Sequence, residues 1–139
     1  MNKIYIKKII VSVIGLLVLG LALLWVNRIG GAKTDGTIQI ILIDEANQER
    51  VNDFISYQVL TSDNKKTTLH SILEEHYDIV VENGMLIEME RVHADTIEYF
   101  LKIWVNCEAA NYGIDHLPFA DGDVIMIVYT KVGDYHDPC

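Results

Sequence analysis

The chain has 139 residues, 50% of them hydrophobic and 22% charged, which suits one folded domain and is too short for a multidomain enzyme. Its net charge of −9 is unevenly spread: residues 1–32 hold four cations and no acid, whereas residues 33–139 hold 7 Lys+Arg against 20 Asp+Glu, a net −13. A surface of that sign repels phosphates, which excludes a nucleic-acid binder.

Lys3, Lys7 and Lys8 precede an uncharged run, Ile9 to Val26, that ends beside Trp25. Its 18 residues make a helix of roughly 27 Å, close to the thickness of a bilayer core. The run is apolar on every side, so it predicts a single transmembrane helix over 9–26 behind a cytoplasmic basic tail, 1–8, rather than a core helix with one buried stripe. Gly30-Gly31-Ala32 also suits signal-peptidase cleavage, but an apolar region of this length exceeds the roughly 7 to 15 residues of a signal peptide. The expected location is therefore the plasma membrane, single-pass, with the C-terminal domain outside; cleavage would make it secreted. The bilayer is then a partner through residues 9–26. No Cys follows the run closely, which excludes a bacterial lipid anchor.

Residues 27–36, NRIGGAKTDG, carry three glycines and no apolar periodicity, so they predict a flexible tether. The folded domain is expected over 37–132. It opens with Thr37–Ile43 and closes with Val124–Thr130, both apolar on both faces, the pattern of a central strand pair. Ile55 to Thr61 predicts a second strand, reached through a polar turn containing Asp44, Glu45, Asn47 and Asn52. Leu69, Ile72, Leu73 and His76 fall at helical spacing after Thr67 and Thr68, either of which can cap. Ile79–Val81 and Met85–Val92 flank Asn83-Gly84, a hairpin dipeptide. Tyr99 to Val105 alternates: Tyr99, Leu101, Ile103 and Val105 on the core face, Phe100, Lys102 and Trp104 on the other. Asp121-Gly122-Asp123 turns the chain into the last strand. Residues 133–139 form a solvated tail.

This order of elements predicts an α+β domain, a β-grasp-like mixed sheet with one covering helix. One helix cannot cover both faces, so Phe100, Lys102 and Trp104 are candidate ligand or partner contacts, with Tyr112 and His116 in the following loop. The histidines at 70, 76, 93, 116 and 136 are scattered, and no HExxH, Gly-x-Ser-x-Gly, CxxC or Walker loop is present. No catalytic or metal residue is therefore assigned. His116 beside Asp115 is the nearest thing to an acid-oriented base, and Asp121 with Asp123 reads as a turn rather than a calcium loop. Cys107 and Cys139 are a candidate disulfide, permitted by export.

The stretch Tyr99 to Thr130 resembles the DUF4430 domain family, which is similar to the C-terminal β-domain of the cobalamin carriers transcobalamin and intrinsic factor. Trp104-Val105-Asn106, Glu108, Gly113 and Asp121-Gly122-Asp123 fit its pattern, and Thr68-Leu69-His70-Ser71-Ile72-Leu73 looks like its early helix. Leu101 stands where the family has Trp, and Cys107 replaces a turn glycine, which suggests a turn that need not adopt positive φ. The resemblance implies a binding module without chemistry. Cobalamin is then a candidate ligand, and a partner protein would complete a site that the carriers close with a second domain. The competing reading is a cell-surface protein-interaction module with no small ligand.

Overall fold

The computed structural model describes residues 3–26, 30–134 and 137–139; within the first helix it describes the side chains of Lys3 and of residues 6–21. The fold is α+β, mostly sheet, with two helices. Helix α1 spans Lys3–Val26, so the basic tail is helical from Lys3 onward. The expected membrane-spanning helix is not found as such: among the described residues no helix is long and apolar enough to cross a membrane. Ala22 to Val26, which complete the predicted span, lie outside the described side chains.

The tether reading needs correction. Gly31–Ala32 forms a short strand, β1, parallel to the later Pro118–Phe119, and Ala32 is 1% exposed. Gly36 already belongs to β2, Gly36–Ile43. A side chain at Gly36 would strike Asp121, so the close approach of two chain segments, not flexibility, explains that glycine. Residues 27–29 lie outside the described residues.

β3 spans Glu49–Tyr57 and starts six residues before the predicted strand. Its first half is polar because it forms a sheet rim with an open outer face, which leaves little apolar signal. The preceding turn is set by Asp44, whose Oδ1 accepts from the Ala46 and Gln48 amides at 2.9 and 3.0 Å. Helix α2, Leu69–His76, is capped by Thr68: its hydroxyl accepts from Ser71 N, and Ser71 Oγ accepts from Thr68 N. Thr67 instead buries its hydroxyl on Gln58 O. Leu69, Ile72 and Leu73 enter the core, whereas His76 is exposed and holds Ile72 O with Nδ1.

β4 (Ile79–Glu82) and β5 (Met85–Met89) pair across Asn83-Gly84, both at positive φ as the dipeptide predicts. The predicted strand to Val92 breaks at a second tight turn, Glu90-Arg91, and resumes as β6, Val92–His93. Both turn residues have positive φ without a glycine. Glu90 N donates to Asp78 O, and its carboxylate accepts from Asp78 N at 2.8 Å, which holds the turn.

β7 (Tyr99–Val105) meets β8 (Glu108–Ala109) across Asn106-Cys107; β9 is Pro118–Phe119 and β10 is Val124–Lys131. The main sheet has the order β3-β2-β10-β7-β8, with β10 parallel to β2 and antiparallel to β7. The two runs apolar on both faces are thus neighbours at its centre. The turn before β10 is joined to both sides: Asp121 Oδ1 accepts from Thr37 N, and Asp123 Oδ1 from Asn106 Nδ2, each at 2.8 Å.

Cys107 corrects a second expectation. It has φ +69 beside Asn106 at +51, because a two-residue hairpin turn imposes the left-handed region whatever residue is present. Asn106 holds that turn by exchanging backbone and side-chain bonds with Val124. Cys107 is bonded to Cys139, so the C-terminal segment is tied to the hairpin rather than free. Tyr135 and His136 lie outside the described residues.

One core holds the domain together. Ile38, Ile40 and Leu42 of β2, Leu101 and Ile103 of β7, and Ile125 and Ile127 of β10 face α2 and the small β4-β5-β6 sheet. The opposite face is not bare. Ile41, Met126 and Trp104 form a row across β2, β10 and β7, and Trp104 is only 8% exposed.

Candidate functional site

The groove beside β7 is built by three pieces of backbone. Ala110 N donates to Ile103 O at 2.9 Å, which pins the loop after β8 against β7. Buried Ile114 anchors the other end of that loop, and its carbonyl accepts from His70 N of α2 at 3.1 Å. Between them Gly113 lies against the Asn83-Gly84 turn, where a Cβ would come within 2.9 Å of Gly84 O. That approach brings Met85 and Tyr112 to the same cleft.

The result is a groove of about 310 Å³ lined by Phe100, Lys102 and Tyr112, together with Met85, Leu86 and Asn111 among others. Met85 and Tyr112 are each more than half exposed. Phe100 and Lys102 sit on alternate residues of the β7 face away from the core, as the alternation predicts. The groove therefore offers apolar walls, one ammonium and one phenol. It can hold an apolar group and place an acceptor on Lys102.

Two candidates fall elsewhere. Trp104 does not line the groove; its ring is buried on the open face, with Lys102 Nζ 4.6 Å from the ring centroid. Alternation predicts an exposed Trp104, but its cross-strand neighbour Met126, with Ile41 beyond it on β2, makes that face apolar. Trp104 acts on the groove through Lys102, by a cation–π contact. His116 is exposed, and its amide bonds back to Gly113 O.

A second cleft was not legible in the sequence. Asp115 does not orient His116; its Oδ1 meets His70 Nδ1 at 2.7 Å, across 45 residues of sequence. These two line a cavity of about 480 Å³ with Glu74, Tyr77 and Asp78. Tyr77 donates its hydroxyl to Asp53 Oδ2 at 2.9 Å. Burial, then that carboxylate, pushes the Tyr77 phenol well above its ordinary value, so it stays a donor at every physiological pH. Nothing in the local sequence around His70 signals its distant acid. Among the described residues, no three His, Cys, Asp or Glu side chains converge to hold a metal ion.

Asp44 and Asp95 are held below the ordinary carboxylate range, chiefly by the backbone amides of Gln48 and Tyr99 respectively. Both hold turns, Asp44 between β2 and β3 and Asp95 just before β7. Their role is structural.

No protein-family model matches the chain, and no curated protein matches it. Among solved structures, a protein from Ruminococcus gnavus ATCC 29149, described as a "putative metal binding protein", is similar: 18% identity, TM-score 0.53, over 72% of this chain and 99% of that one. The likeness is one of fold.

Proposed function

We propose that the chain is a membrane-tethered, extracytoplasmic binding module, without catalysis of its own, that takes part of a small molecule into the groove beside β7 and presents it to a partner. The carrying observation is that Phe100, Lys102 and Tyr112, from a strand and a loop ten residues apart, line one largely apolar cleft. At about 310 Å³ it sits at the lower end of ligand pockets, so it takes a side group of a large ligand and leaves the rest to a partner surface. The resemblance to the cobalamin carriers favours a corrinoid as that ligand. Metal binding, suggested for the Ruminococcus gnavus protein, finds no convergent ligand set among the described residues to support it here.

The anchor rests on α1. Its described side chains from Ile6 to Leu21 are exposed all round and apolar but for Lys7, Lys8 and Ser12, an exterior suited to lipid. The described stretch from Ile6 to Leu21 reaches about 24 Å, short of a full span, so the anchor reading draws also on the apolar residues Ala22 to Val26 of the sequence.

Equilibrium dialysis of the full chain in detergent micelles against cobalamin tests the ligand. Retention is expected in the millimolar range or tighter, and weaker by about tenfold in Tyr112→Ser or Phe100→Ser, since buried aromatics dominate such sites. Retention equal to that of empty micelles would remove the corrinoid reading and leave the protein-interaction module. For topology, protease added to intact cells should remove everything beyond α1; a domain protected until the membrane is broken refutes the outward orientation.

A further inference from the structure

β3 is one rim of the five-stranded sheet, and the direction of its backbone groups follows from its neighbour. Thr37 N donates to Asp121 Oδ1, Thr37 O accepts from Gly122 N, and Gln39 N donates to Asp123 O. Thr37 and Gln39 therefore turn these groups away from β3. Their partners across the ladder, Ser56 and Phe54, form non-hydrogen-bonded pairs with them. The N–H and C=O of Phe54 and Ser56, and by the same period those of Asn52, point out from the rim. Among the described residues none of these has a backbone partner beyond the sheet. Gln58, two residues on, keeps the direction: its carbonyl accepts the Thr67 hydroxyl.

A cavity of about 570 Å³ lies between this rim and α2. Ile55, Leu60 and Ile72 supply apolar lining, and Asp35, Glu75 and His76 the polar lining. The Tyr77–Asp53 hydrogen bond closes one end, and the Leu60–Lys66 bridge lies at the other. On the sheet's opposite face Phe54 is 73% exposed. Rims are commonly protected by charge or by a covering segment. Here three outward backbone pairs over Asn52–Ser56, about 13 Å of strand, border an apolar-floored trench on one side and a bare aromatic on the other.

We propose that β3 is an acceptor edge for an added strand: an extended peptide of a partner protein whose alternate, trench-facing side chains are apolar at the centre and Lys or Arg at the ends. Its backbone pairs with Phe54 and Ser56, its central trench-facing side chains pack against Ile55 and Ile72, and the cations at the ends of the same face meet Glu75 and Asp35. Charge selects this occupant. Residues 33–139 carry a net −13, and acids line the trench and flank it at Asp53 and Asp63. Lys66 runs its side chain against Gly31. A second copy of this chain would bring Glu49 and Asp53 of one β3 toward the same acids of the other, which disfavours self-pairing. This site is separate from the β7 groove and does not depend on its ligand.

The test uses the full chain in non-ionic micelles and two acetylated heptapeptides, Lys-Ser-Val-Ser-Val-Ser-Lys and the same sequence with glutamate in place of both lysines, so that residues 1, 3, 5 and 7 share one face. Amide hydrogen exchange is followed residue by residue. With the lysine peptide at about ten times its Kd, exchange at Phe54 and Ser56 should slow by about tenfold, with β7 unchanged. The glutamate peptide should give no protection. Ser56→Pro removes one outward N–H while leaving the β2 ladder intact, a change tolerated on rims, and should weaken binding by at least about tenfold. Glu75→Lys, on the exposed helix face, should weaken the lysine peptide several-fold and serves as the deciding variant if Ser56→Pro does not fold. Protection at β7, protection spread over the acidic surface, equal binding of both peptides, or full binding by the deciding variant each overturns the proposal.

Discussion

Trp104→Ala isolates the open face of the sheet, because Trp104 shares β7 with Ile103 but points to the other side. Ile103 is 9% exposed within the core, opposite Ile127 of β10. Trp104 is 8% exposed and outside that core, opposite Met126. A buried tryptophan removes roughly 150 to 250 Å² from water, which at about 25 cal/mol per Å² sets an upper bound of about 4 to 6 kcal/mol. The unfolded chain already hides part of that area, and the open face can collapse onto the gap, so about 3 kcal/mol is expected. Ile103→Ala should cost about 2 to 5 kcal/mol. For a domain of about 100 residues, 3 kcal/mol corresponds to a fall in Tm of about 12 °C or more. Circular dichroism melts of the full chain and both variants, with urea midpoints as a check, measure it. A Trp104→Ala loss below about 1 kcal/mol, with Ile103→Ala costly, would show that Trp104 is solvated and that the open face carries no packing.

Gly36→Ala should destabilise by about 1 to 3 kcal/mol through its clash with Asp121, and the double variant with Asp121→Gly, which by itself loses the Thr37 hydrogen bond, should cost at least about 1 kcal/mol less than the sum of the two single variants; additive variants refute the contact. Asp95 accepts from the Ile97, Glu98 and Tyr99 amides, and its depressed pKa contributes stability above the unfolded value near 3.9, which is lost as pH falls through the folded value. Asp95→Asn should therefore be less stable than the parent at pH 7 and flatter in urea midpoint from pH 4 down to 2; parallel profiles would contradict this. Cys139→Ser opens a loop of 32 residues and should cost up to about 3 to 4 kcal/mol in non-reducing buffer, read as a drop in Tm that added reductant reproduces in the parent.

The elements most legible in the sequence are those buried on two sides or patterned strongly on one: β2, α2, β7 and β10 carry continuous or periodic apolar residues. What escaped is set by tertiary contact. The first half of β3 is a rim with few apolar residues, the Glu90-Arg91 turn owes its conformation to Asp78, and β1 exists only because Pro118–Phe119 lies beside it. For the candidate site, alternation along β7 identifies the face that holds Phe100 and Lys102 but not how much of it is covered. Trp104 is buried on a face that it shares with its cross-strand partner Met126 and with Ile41 one strand further, neighbours that only the fold brings there. The pairing of His70 with Asp115 has the same character: a hydrogen bond across 45 residues leaves no local mark.

The place of β10 between β2 and β7 governs the order in which this domain can be made. As synthesis proceeds from the N-terminus, β2 with β3 and β7 with β8 emerge as two separate pairs, and each keeps an open edge until residues 124–131 arrive. Those edges belong to the apolar strands that later form the sheet's centre. A nascent chain halted before Val124 therefore presents Ile38, Ile40 and Leu42 on one hairpin and Leu101 and Ile103 on the other, with no strand to join them. Closure of the main sheet is therefore deferred until residues 124–131 have emerged, and until then the two hairpins expose apolar edges that other strands can join.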